Sequence, residues 1–203
     1  MKIALLGNGP NLRLNMEEYK NFNVIIFSNR LLWENFESLR GTRELVYICG
    51  DERFGKSAEW CKELAKSKFT FILSDKLHSM VRDQLNLRPT HCFSSLHLSS
   101  LVLNFLQEFP PPEDLLSNVI LDLGVPVALN LGGQSIELFG CDFDYKISEI
   151  NTNPVYFGEY KVRGASFDHT ESSASAWSEF SQIRFKSMVR YLAEYKIVLK
   201  NRF

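Results

Sequence analysis

Short apolar runs, each closed by a turn residue, decide what this chain can fold into. Ile3 to Leu6 runs straight into Gly7-Asn8-Gly9-Pro10, Asn23 to Ser28 ends at Asn29, and Leu45 to Cys49 closes at Gly50-Asp51. Phe69 to Leu73 and Ser135 to Phe139 follow the same form, the latter ending at Gly140. Runs this brief, rich in β-branched and aromatic residues and punctuated by Gly and Asn, are buried strands rather than helices. Between them lie helical patterns. Ser57 to Lys66 places Trp60, Leu64 and Ala65 on one side with Lys62, Glu63 and Lys66 elsewhere, and Lys76 to Leu85 reads likewise. Apolar strands alternating with amphipathic helices predict an α/β fold: a doubly wound, mainly parallel, Rossmann-like sheet flanked by helices.

The second half is less regular. Ser99-Ser100 caps a helix carrying Leu101, Val102, Phe105 and Leu106, and Pro110-Pro111-Pro112 stops it, since three successive residues lack an N–H. Ser117 to Gly132 has near-helical apolar spacing with Pro126 inside it, which predicts a kink, and Gly132-Gly133 ends it. The polar, aromatic stretch 146–168 is long for a plain connection and reads as a functional loop or lid. Ser175 to Lys196 is a final amphipathic helix with Trp177, Phe180, Ile183, Met188, Leu192 and Tyr195, followed by a strand from Ile197. Its apolar stripe leaves room for a homo-oligomer. The 203 residues suit one domain, 1–203.

Composition narrows the partners. A formal charge of −1 gives no general reason to expect nucleic acid. Cys49, Cys61, Cys92 and Cys141 form no Cys-x-x-Cys pair, so reduced, buried thiols are expected rather than zinc or disulfides. The opening residues do not make a signal peptide, and no stretch approaches the roughly 20 apolar residues of a membrane span. A cytoplasmic protein is expected, with at most a peripheral contact to a membrane.

Ligands of doubly wound sheets sit beyond the carboxyl ends of the strands. Gly7 and Gly9 permit positive φ and close approach of a ligand, and such a turn can offer N–H groups to a phosphate or nucleotide. The spacing matches neither the dinucleotide fingerprint nor the ATP-type phosphate loop, because position 12 is Leu and no Gly-Lys-Ser/Thr follows. Asn8, Asn29, Asp51 and Asp142 all stand at strand ends, where Asn suits a base edge or ribose hydroxyls. Asn29 and Asp51 are equally natural turn formers. Asp142, after Gly140 in Gly140-Cys-Asp-Phe-Asp144, favours ligand hydroxyls over a metal, since residues i and i+2 of an extended segment point apart. His169, in Ser166-Phe-Asp-His-Thr-Glu-Ser-Ser173, has the titration range of a general base for a hydroxyl, with helix capping by its neighbours as the competing role. His78, His91 and His97 lack such surroundings.

Three blocks together resemble the bacterial CMP-sialic-acid-dependent sialyltransferases and the related Kdo-transferase and polysaccharide-biosynthesis proteins. These are Gly7-Asn8-Gly9-Pro10-Asn11-Leu12, where that family has Gly-Asn-Gly-Pro-Ser-Leu, then Ala128 to Phe143, and His169 with Ser172 before an aromatic-rich helix. The resemblance implies a glycosyltransferase that needs no metal ion or other cofactor, taking a CMP-activated sugar as donor and a glycan hydroxyl as acceptor. It implies that the glycine turn and Asn8 hold CMP with Asn29 near the cytidine, that Asp142 anchors the nucleotide, and that His169 is the general base. Ser117, Tyr156 or Tyr160 would assist the leaving phosphate. Two other functions fit the same residues: pyrophosphoryl transfer to a pterin using ATP and Mg²⁺, with Asp142 and Asp144 on the metal, and a non-catalytic nucleotide-sugar-binding subunit.

Overall fold

A computed structural model describes residues 1–9, 12, 16–29, 31, 36, 43–85, 91–111, 119–141, 143 and 171–202. Its strands are β1 (Lys2–Leu6), β2 (Val24–Ser28), β3 (Glu44–Cys49), β4 (Thr70–Leu73), β5 (His91–Cys92), β6 (Ser135–Phe139) and β7 (Val198–Arg202). They form one seven-stranded sheet in the order β5-β4-β3-β2-β1-β6-β7, and every neighbouring pair is parallel. The predicted doubly wound α/β fold is the observed one. Strand order reverses between β1 and β6: strands one to five step outward one way, then the chain returns to the far side of β1.

Alternation along the strands sorts side chains onto two faces. Ala4, Leu6, Ile25, Phe27, Tyr47 and Phe139 meet the buried residues of α1 (Met16–Tyr19), α2 (Glu52–Gly55), α3 (Ala58–Lys66) and α4 (Asp75–Leu85). Ile3, Leu5, Ile26, Ile48, Ile136 and Leu199 meet α5 (Ser100–Glu108), α6 (Val125–Asn130) and α7 (Glu171–Glu194). Ile3, Leu5, Ile25 and Ile26 have no exposed surface, and burying each contributes about 1.5–3 kcal/mol.

Several local predictions hold and some need correction. Ser57 caps α3 by accepting the Trp60 N–H, and Ser99 caps α5 by accepting the Val102 N–H. In α3 the inward residues are Trp60, Cys61 and Leu64, whereas Ala65 is exposed, so the buried face turns by one position from the expected one. His91–Cys92 adds a two-residue edge strand that the sequence did not announce. At Pro126 the kink takes the form of a π turn over Ile120–Gly124, in which the Val125 N–H bonds the Ile120 carbonyl. A ring at position 126 would press on the carbonyl of residue 122 in a tight α turn, and a wider turn removes that clash. Gly132 ends α6 in the left-handed region at φ 84°, its N–H on the Leu129 carbonyl and the Gly133 N–H on that of Ala128.

The last helix is longer than its strand. The 24 residues of α7 rise about 36 Å, twice the span of roughly 17 Å covered by the five residues of β7. Because α7 turns directly into β7, the surplus lies beyond the carboxyl edge of the sheet. Its inward residues are Ser181, Phe185, Met188 and Leu192, while Phe180, Ile183 and Tyr195 are exposed, so the expected single apolar stripe is split between two faces. The proposed lid, 146–168, lies outside the described residues.

Candidate functional site

The carboxyl ends of β3, β2, β1 and β6 lie side by side in the sheet, so Asp51, Asn29, Asn8 and Gly140 form a row. The strands that carry them are neighbours, about 4.8 Å apart where they pair. The row crosses the point where strand order reverses, the place at which doubly wound sheets open a crevice.

At that point the two glycine turns lock together. The Gly7 N–H donates to the Phe139 carbonyl at 2.8 Å, and the Gly9 N–H donates to the Gly140 carbonyl at 2.7 Å. A Cβ on Gly7 would stand 2.5 Å from the Gly140 oxygen and 2.7 Å from the Cys141 Sγ. Gly140 takes φ +60°, and a Cβ there would stand 2.6 Å from the Leu12 Cβ. Gly7 is not in the left-handed region. The expected positive φ is therefore found at Gly140 and not at Gly7, whose lack of a Cβ makes room for the end of β6. The Gly7 and Gly9 N–H groups are also taken by main-chain carbonyls and are not free for a phosphate.

Asn8 lies beside Ser28, with Nδ2 at 3.5 Å from the Ser28 Oγ, which in turn lies 3.4 Å from the Leu6 carbonyl. Asn29 adopts φ 53°, a conformation that Asn tolerates better than most residues. A relay holds it there. The Trp60 Nε1–H donates to the Tyr47 hydroxyl at 2.9 Å, and that hydroxyl donates to the Asn29 carbonyl at 3.0 Å. The Asn29 Oδ1 accepts from the Cys49 thiol at 3.4 Å. Burial, reinforced by the Asp51 charge, pushes that thiol up to about 12, so it stays protonated and able to donate. Asp51 also opens α2, its carbonyl accepting the Phe54 N–H at 3.1 Å, which is the turn-forming role weighed for it.

The row continues outward. Asp75 accepts from the Cys92 thiol and from the Ser94 N–H, tying α4 to β5. Burial raises its pKa, but those hydrogen bonds and the nearby His78 charge outweigh burial and leave it lowered. On the other side, Phe143 (φ 51°) stacks on Phe185 with ring centroids 5.3 Å apart, and its carbonyl accepts from Gln182 Nε2 at 3.1 Å. These contacts fix α7 against the turn after β6. Below them, Arg184 Nε lies 2.8 Å from Asp122 Oδ1, out of line for a hydrogen bond, so the contact is a charge pair. Both Arg184 contacts to the end of α5, the Phe109 and Pro110 carbonyls, are 3.0 Å.

Of the residues singled out in the sequence, the fold brings Gly7, Asn8, Gly9, Asn29, Asp51 and Gly140 together at one edge. Ser117, Asp142, Tyr156 and His169 lie outside the described residues. Ser28 was missed, although a polar residue closing an otherwise apolar run was a visible signal. The Tyr47–Trp60 relay and the Arg184–Asp122 pair had none, because their partners come from separate elements. Among the described residues no group of three or more His, Cys, Asp or Glu could hold a metal ion, and no helix is long and apolar enough to cross a membrane. The four cysteines are buried thiols outside any disulfide. Comparison with family models, curated proteins and solved structures finds no match to this chain.

Proposed function

We propose that this chain is a metal-independent glycosyltransferase that moves a sialic acid- or Kdo-type sugar from a CMP donor to a glycan hydroxyl. One observation carries the reading: the Gly7-Asn8-Gly9 turn and Gly140, remote in sequence, meet at the reversal point of the sheet. They belong to the blocks that resemble the CMP-dependent family. The row from Gly140 through Asn8 and Asn29 to Asp51 supplies a polar strip along which a nucleotide can lie.

In this reading the acceptor hydroxyl attacks the anomeric carbon of the donor. The bond from that carbon to the phosphate oxygen breaks, CMP leaves with the electron pair, and His169 takes the hydroxyl proton. Ser117 and Tyr156 would face the phosphate, and Asp142 the nucleotide. Thermal unfolding with CMP and with ATP, each with and without Mg²⁺, tests the donor. A ligand at 100 times its Kd adds about 2.7 kcal/mol, and CMP is expected to do so without the metal. Stabilisation by ATP only with Mg²⁺ would replace this reading with pyrophosphoryl transfer. CMP binding without turnover on any acceptor would leave a binding subunit. With an active acceptor in hand, His169→Ala should lower the rate by about 10²–10⁴-fold, and a rate within a few-fold of wild type removes His169 as the base.

A further inference from the structure

Three described residues other than glycine have positive φ, and two of them have a local reason for it. Asn29 is of a type that tolerates the left-handed region. Lys196 (φ 58°) closes α7, with the Ile197 N–H on the Leu192 carbonyl, which is a common helix stop. Phe143 has no such reason. Its φ of 51° is an outlier for a bulky side chain, and strain of this kind lasts only where the surroundings impose it. Here it is imposed from two sides. On the sheet side, the Gly140 carbonyl accepts the Gly9 N–H at 2.7 Å and the Cys141 carbonyl accepts Asn201 Nδ2 at 2.7 Å. On the helix side, the Phe143 carbonyl accepts Gln182 Nε2 and its buried ring packs on Phe185. The strained residue stands where the two anchorages meet. Gln182 is exposed, so water can replace its hydrogen bond at small cost, and the helix side is the one able to let go.

We propose that Phe143 is a strained hinge and Gln182 its catch: the turn after β6 keeps its shape only while the first half of α7 is docked, and the two switch together. Gln182 is thus a positioning residue that acts on the reversal point through Phe143. Its bearing on a ligand rests on the nucleotide reading above, whereas the hinge does not. Linkage makes the coupling reciprocal: a ligand that needs the strained turn must also hold α7 down.

Strain and catch are measured on the ligand-free protein. Phe143→Ala and Phe143→Gly both lose the ring, but only Gly takes positive φ without steric cost. Gly is ordinarily the less stable of the two, so Phe143→Gly should here unfold at a higher temperature than Phe143→Ala. The ordinary order would overturn the proposal. Gln182→Met keeps the length of the side chain and removes its donor. Hydrogen exchange of the Phe143 amide and of residues 178–186 should then be about fivefold faster, the effect of one lost hydrogen bond, with the β1 amides unchanged. Exchange that stays unchanged there, or that quickens throughout the chain, would overturn the catch. CMP should slow exchange over 178–186 in the wild type, and Gln182→Met should weaken CMP several-fold by calorimetry. Equal CMP affinity in the two proteins would overturn the link to the site. Wild-type protein that binds no CMP would overturn the nucleotide reading instead, and the ligand-free measurements would still decide the hinge.

Discussion

Gly7 and the Gly140–Cys141 turn share a space too small for one added methyl group. A Cβ at residue 7 would meet a main-chain oxygen at 2.5 Å, and the oxygen belongs to a turn that cannot recede without breaking the Gly9 contact. Gly7→Ala should therefore destabilise the protein by about 1–3 kcal/mol, the range for overpacking a tight site. Urea unfolding reads this as a lower midpoint at unchanged slope, and a loss under about 0.5 kcal/mol would show that the turn yields. Gly132 is the contrast, since nothing lies within 4 Å of an added Cβ and only its φ of +84° resists substitution. The sequence reveals that Gly7 and Gly140 end strands, because Gly after an apolar run is a local signal. It does not reveal that each is needed by the other's turn, because that contact joins segments far apart in the chain. The same limit hid the contacts of Ser28, which reach the Leu6 carbonyl and Asn8 about twenty residues earlier in the chain.

Among the elements, α7 and the π turn are coupled through a charge pair with almost no water around it. Arg184 and Asp122 have side-chain exposures of 11% and 0%, so removing one partner takes a nearby opposite charge from a group in a poor medium for charge. Arg184→Met should cost about 3–5 kcal/mol. Replacing both, as Arg184→Met/Asp122→Leu, should recover a substantial part of that loss, because neither charge of the pair is then buried. Equilibrium unfolding of both variants checks the pair, and a double variant no more stable than the single one would count against it. Element positions were the most legible part of this chain: strand ends, serine caps and the glycine stop all have local causes. The π turn was visible only as a proline in a helical pattern. The form taken by the kink depends on what packs around residues 120–124. The direction of the α7 face was misread because its stripe mixes inward residues with exposed ones, and periodicity alone does not say which half meets the sheet.

Over the whole molecule, stability should fall from the centre of the sheet to its β5 edge. β1 is paired on both sides along its length, whereas β5 has, among the described residues, two residue pairings, Ile72 with His91 and Leu73 with Cys92. Native-state hydrogen exchange should find the β1 amides among the slowest and those of β5 among the fast ones. Equal protection in the two strands would contradict this gradient. The central place of β1 also bears on how the protein is made. Its β6 neighbour follows about 130 residues later, so at 5–20 residues per second the first strand waits roughly 7–26 s on the ribosome for the partner that completes its burial. Until then Ile3 to Leu6 can be shielded on one flank at most, by β2, and the newborn chain must keep a fully apolar strand half-covered while the rest is made.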